Sequence, residues 1–157
     1  MKKNLVLLTG IVFLFTILIA GGCSNGDEPK DSTVIIYLQA HEIDGKMHLK
    51  MYDSNDKTIV VIDTLHTVIQ PGTEVIWMLP NDSGIRKIQK ISPKNGPGNI
   101  IHGDARGSLF KKEKKLKIHD TAQVGEEGYL IKFKGTDGKP HTIDPFLKIP
   151  PGSGGTE

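Results

Sequence analysis

From Val34 onward the apolar positions alternate. Ile36, Leu38 and Ala40 fall on one face of an extended chain, and Tyr37, Gln39 and His41 on the other. A period of two is the signature of a half-buried strand. Asp44-Gly45 follows, a two-residue hairpin turn, and Met47, Leu49 and Met51 resume on the apolar face. A second block, KTIVVIDTLHTVIQPGTEVIWMLP, is rich in β-branched residues and has a Pro71-Gly72 turn. A third, GYLIKFKGTDGKPHTIDPFLKIP, predicts another hairpin around Asp137-Gly138. There Tyr129, Ile131 and Phe133 alternate, followed by Ile143, Leu147 and Ile149. Pro145 cannot donate to a ladder, so it demotes that last strand to an edge or a bulge.

The middle of the chain does not alternate. Ile85, Ile88 and Ile91 recur every third residue. A short helix after Asp82 and Ser83 or a bulged strand each produces that spacing, and the strand is preferred. Ser92 to Lys115 is rich in Gly, Lys and polar residues and reads as a long irregular connection. Short strands with Gly/Pro turns and almost no helix predict an all-β fold, a single β-sandwich over residues 33–150.

The ends differ from this domain. Met1-Lys2-Lys3 is basic, and Leu5 to Ala20 is apolar apart from Thr9, Gly10 and Thr16. Ala20, Gly21 and Gly22 follow, which completes the order of a secretory signal. Ala20-Gly21-Gly22-Cys23 resembles the lipobox of bacterial lipoproteins. The resemblance implies cleavage before Cys23, a lipid on its thiol and an acylated amine such as a palmitate. Two or three acyl chains anchor stably where one does not. Residues 1–22 are then a signal helix and 23–32 a lipidated cysteine and flexible tether, roughly 30 Å when stretched at about 3.3 Å per residue. Residues 151–157 form a loose tail. The expected location is the bacterial cell envelope. Ser24 after the cysteine resembles the outer-membrane pattern of enteric bacteria, which points to the periplasmic face of that membrane or to the cell surface.

Two stretches carry a second resemblance. TVIQPGTEVIWMLPND is similar to the early strands of cupredoxin-like domains, and GEEGYLIKF to the start of their last hairpin. This implies a Greek-key sandwich, with an immunoglobulin-like topology as the alternative. The copper ligands do not carry over. Ser83-Gly84-Ile85-Arg86-Lys87 stands where the first histidine would fall, and Phe133 where the cysteine would. Blue-copper chemistry needs that thiolate.

Cys23 is the only cysteine. Once lipidated, it leaves the domain without a disulfide, a redox pair, a zinc-thiolate site or a cysteine nucleophile. The whole chain has 20 Lys+Arg against 18 Asp+Glu. Cleavage removes Lys2 and Lys3 and leaves a formally neutral chain, which argues against nucleic acid as a partner. The lipid anchor, not charge, is then the tie to the membrane.

The Asp44-Gly45 turn has one chemical consequence. It sets His41 opposite His48 on the polar face, beside Gln39 and Lys50. Neutral imidazoles so placed are candidate ligands for Cu²⁺ or Zn²⁺. Glu42 points to the other face. Met47 and Met51 read as core filling. No other cofactor is indicated. His102 lies near Asp104, His119 near Asp120 and His141 near Asp144, but no GxSxG motif supplies a nucleophile. Trp77 reads as a core anchor, and KKEKKLKIH as a solvated loop and strand edge. The expected function is a non-enzymatic, lipid-anchored module that binds an envelope protein or component. The alternative is divalent metal binding through His41 and His48.

Overall fold

The computed structural model describes residues 32–55, 57, 60–107 and 112–152. The apolar leader 1–22, Cys23 and the tether up to Asp31 lie outside the described residues. Every element described is a strand, so the all-β expectation holds. No helix among the described residues is long and apolar enough to cross a membrane.

The strands are β1 (Thr33–Ile43), β2 (Lys46–Asp53), β3 (Val61–Ile62), β4 (His66–Val68), β5 (Glu74–Met78), β6 (Ile85–Pro93), β7 (Glu113–Lys117), β8 (Gly125–Gly135), β9 (Pro140–Ile143) and β10 (Phe146–Ile149). One sheet runs β3-β2-β1-β5-β7, and the other β4-β10-β8-β6 with β9 also against β8. Both sheets are mixed. β1 runs parallel to β5, and β10 parallel to β4.

The alternating faces meet in one core. Ile36, Leu38, Leu49, Met51, Val75 and Trp77 from the first sheet join Ile91, Tyr129, Ile131, Phe133 and Leu147 from the second in a single buried cluster. Trp77 and Tyr129 link the sheets directly. Their rings meet edge to face at 5.4 Å, and the indole N–H donates to the phenol oxygen at 3.1 Å. A buried Trp or Tyr must place its polar tip on a partner, and here each serves the other. Burial holds the Tyr129 phenol protonated, far above the ordinary value for a phenol.

The three-residue spacing of Ile85, Ile88 and Ile91 resolves as a strand with two irregularities. The β6–β8 register shifts between Ile85 and Lys87, and again between Ile88 and Lys90. Each bulge inserts one residue, which converts a period of two into a period of three. All three isoleucines therefore stay buried, while Arg86, Lys87, Gln89 and Lys90 stay exposed.

Pro145 divides the last segment as its chemistry requires. β9 pairs with residues 131–134 of β8, and β10 with residues 125–128. At the break the Pro145 carbonyl still accepts from Tyr129 N–H at 2.9 Å. β10 is not an edge, because β4 covers its other side.

The connection between β6 and β7 is shorter than the composition implied, and its described part is packed. Ile100, Ile101 and Ala105 enter the core. The Glu127 carboxylate accepts the backbone N–H groups of Asn99, Ile100 and Ile101, the last two at 2.9 and 3.0 Å. Gly98 makes room for this clamp, since a Cβ there would sit 2.4 Å from a Glu127 oxygen. Lys114 departs from the solvated reading of KKEKKLKIH. It pairs with Trp77 on the core face and is buried, with its ammonium donating to the Gly107 carbonyl at 3.4 Å.

Candidate functional site

The β1–β2 hairpin positions the two candidate histidines. Asp44 and Gly45 have φ of 51° and 73°, the left-handed pair that a type I′ turn demands. The register that follows is Ile43 opposite Lys46, Glu42 opposite Met47 and His41 opposite His48. Counting from the turn, His41 and His48 form a hydrogen-bonded pair, with Cα atoms about 5.5 Å apart. The same outer face continues with Gln39 opposite Lys50 and Tyr37 opposite Tyr52. The two tyrosine rings stack at 4.8 Å.

Asp63 is the residue that sequence reasoning missed. Its Oδ2 lies 2.7 Å from His48 Nδ1, and its Oδ1 accepts the Leu49 N–H at 2.7 Å. Its own N–H donates to the Leu49 carbonyl at 2.9 Å. This wrap accompanies a left-handed Asp63, φ 65°, a conformation that aspartate adopts more readily than most residues other than glycine. A carboxylate on Nδ1 selects the tautomer with its proton there. The Nε2 lone pair is then left for a ligand, as in metal sites whose histidines lean on a carboxylate. His41 is exposed beside it.

Among the described residues the fold adds no third donor to this pair. Among the described residues no group of three His, Cys, Asp or Glu is placed to hold a metal. His66 stacks on Phe146 at 4.8 Å and meets Glu126 at 3.2 Å. His141 stacks on Phe133 at 5.3 Å and bonds Asp137 at 3.0 Å.

The histidine–aspartate neighbours of the sequence do not pair in space. His102 lies against His119, with ring centroids 5.2 Å apart. Asp104 joins Lys90 at 3.1 Å, His119 bonds the Thr121 hydroxyl at 2.7 Å, and Asp144 joins Lys94 at 2.5 Å. None of these sets has the base and orienting carboxylate aligned as nucleophilic catalysis needs. Of the residues expected where cupredoxin ligands would fall, Ser83, Ile85 and Phe133 are buried, and Arg86 and Lys87 are exposed. No protein-family model matches the chain, and no curated protein matches it.

Proposed function

We propose that this chain is a lipid-anchored protein of the bacterial envelope whose two-sheet domain, read as a Greek-key β-sandwich, is a non-enzymatic binding or structural module. The observation that carries the reading is Ala20-Gly21-Gly22-Cys23 after a basic start and an apolar run, ten residues before the first strand. Ten residues reach about 33 Å when extended, enough to hold the domain clear of a headgroup layer. Cys23→Ser tests it. The expected result is loss of incorporated alkyne-palmitate and release of the domain from membranes. Retention of Cys23→Ser on the membrane after signal cleavage refutes the anchor.

A second reading is favoured by the Asp63–His48 contact. Here the outer face of β1 and β2 takes a divalent Cu²⁺ or Zn²⁺ through His41 and His48, with Asp63 fixing the His48 tautomer. Removing a carboxylate of this kind lowers metal affinity by about 10–100-fold. Calorimetric titration with Zn²⁺ and Cu²⁺ separates the outcomes. His41→Ala/His48→Ala should lose binding, and Asp63→Ala should weaken it. Equal affinity in wild type and the double variant ends the metal reading and leaves the anchor untouched.

A further inference from the structure

The outer face of β6 and β8 collects cations. Ile131 and Phe133 of β8 point into the core, so Lys132 and Lys134, at the alternate positions, project from the other side. Across the ladder Lys87 stands opposite Lys134, and Lys90 opposite Lys132. The bulges in β6 put these lysines on that face while Ile85, Ile88 and Ile91 stay inside. On the far side of β8, Pro140 is opposite Lys134 and Thr142 opposite Lys132. The two rows are therefore Lys87-Lys134-Pro140 and Lys90-Lys132-Thr142, with no carboxylate in either. Directly opposed residues have Cβ atoms about 5 Å apart, and successive rows are about 7 Å apart.

Like charges directly opposite destabilise a sheet, and little here offsets them. Lys90 reaches Asp104 at 3.1 Å and counts as paired. Among the described residues no carboxylate pairs with Lys87, Lys132 or Lys134, and all three are exposed. The acids nearest in sequence are engaged elsewhere. Asp137 bonds the His141 ring and the Lys139 N–H, each at 3.0 Å, and Asp144 pairs with Lys94. Arg86 shares a recess with Asp82 and is not counted. Lysines on an outermost strand such as β6 deter pairing with another chain. That does not account for Lys132 and Lys134, because β8 is flanked by β6 on one side and by β9 on the other. The whole chain has a formal charge of only +2, so this concentration is a product of the fold.

We propose that this face docks on an anionic phospholipid bilayer. Its lysines project side by side from one sheet face, so they meet a planar charged surface together. Ammonium groups on flexible stems act as point charges, which suits mobile headgroups better than a ligand read by a rigid fork. Neither row holds an aromatic residue, so no platform is offered to stacked nucleobases. Each lysine close to an anionic leaflet strengthens contact about fivefold, so the three unpaired ones together give roughly 100-fold. A basic patch is also what turns marginal binding by one acyl chain into stable binding. Residues 23–32 reach about 33 Å when extended, against about 10 Å between two packed sheets. The second sheet can therefore lie on the leaflet that holds the anchor. That placement rests on the lipid-anchor reading; the preference for anionic lipid does not.

The test uses the full chain in phosphatidylcholine nanodiscs, with or without phosphatidylglycerol, that carry a gadolinium-chelating headgroup lipid. The readout is paramagnetic broadening of the Lys132 and Lys134 amides, with Tyr37 and Tyr52 on the outer face of the first sheet as reference. With phosphatidylglycerol the lysine amides should broaden first. Without it, or in molar salt, that bias should vanish. Lys132→Gln/Lys134→Gln should lower the ratio of docked to undocked domain about 25-fold, and Lys87→Gln alone about fivefold. All three side chains are exposed, and an unchanged amide spectrum in phosphatidylcholine discs confirms the fold. Equal broadening of the two faces, a bias that persists without phosphatidylglycerol, or an unmoved double variant overturns the proposal. So does polyphosphate shifting these amides where anionic discs give no bias, which assigns the face to a dissolved polyanion. A chain that leaves phosphatidylcholine discs refutes the anchor alone, because the face is read from its dependence on lipid charge and not from retention.

Discussion

Glu127→Ala should loosen the segment before β7 and destabilise the whole domain. In the wild type one carboxylate accepts three consecutive backbone N–H groups, those of Asn99, Ile100 and Ile101. Hydrogen bonds to a charged acceptor contribute about 1.5–3 kcal/mol each. The Asn99 bond is exposed, so water replaces it at little cost. The other two are half-buried, and discounting them by about half for water access leaves about 1.5–3 kcal/mol. Ile100 and Ile101 are fully buried, so their packing is coupled to the same clamp. For a domain of this size each kcal/mol moves the thermal midpoint by about 3–5 °C, which gives a fall of about 5–15 °C. Glu127→Gln keeps one acceptor oxygen without the charge and should fall about half as far. Amide hydrogen exchange supplies the local readout, with Ile100 and Ile101 losing protection first. A Glu127→Ala melt within about 0.5 kcal/mol of wild type would sink the reasoning. So would unchanged protection at those two amides.

Other outcomes follow from single contacts. Tyr129→Phe removes the acceptor of the buried Trp77 indole N–H and should cost about 1–3 kcal/mol in urea unfolding, with an altered near-ultraviolet tryptophan signal; an unaltered midpoint and signal would show that the bond contributes nothing. Asp137 titrates below its ordinary value of 3.8, chiefly because the Lys139 backbone N–H bonds its carboxylate, aided by His141. A depressed carboxyl stabilises the fold above the unfolded value and loses that contribution as pH falls through the lower folded value. Asp137→Asn should therefore flatten the acid limb of stability below about pH 4, and an identical acid limb in the variant would contradict the assignment.

Much of the strand pattern could be read from the residues. The Asp44-Gly45 turn fixes the register of β1 on β2, because both residues are left-handed and form a type I′ turn, whose twist matches that of the flanking strands. His41 and His48 were therefore placed opposite each other by local chemistry alone. The isoleucines of β6 were harder. A spacing of three fits a helix or a bulged strand, and only pairing with β8 decides between them. Pro145 marked a break, but not that β4 would cover the strand beyond it.

The sequence by itself determined what depends on near neighbours: strand alternation and turn positions. Tertiary structure alone decided the polar contacts that span the fold. Asp63 reaches His48 across 15 residues, and Glu127 reaches Ile100 and Ile101 across 27 and 26. Lys114 is buried because its strand pairs with that of Trp77, and Arg106 meets Lys115 because a loop closes on an edge strand. Alternation and turn type are set by bonds and sterics within a few residues. A carboxylate's partner is set by which strands happen to be adjacent, and no local pattern records that.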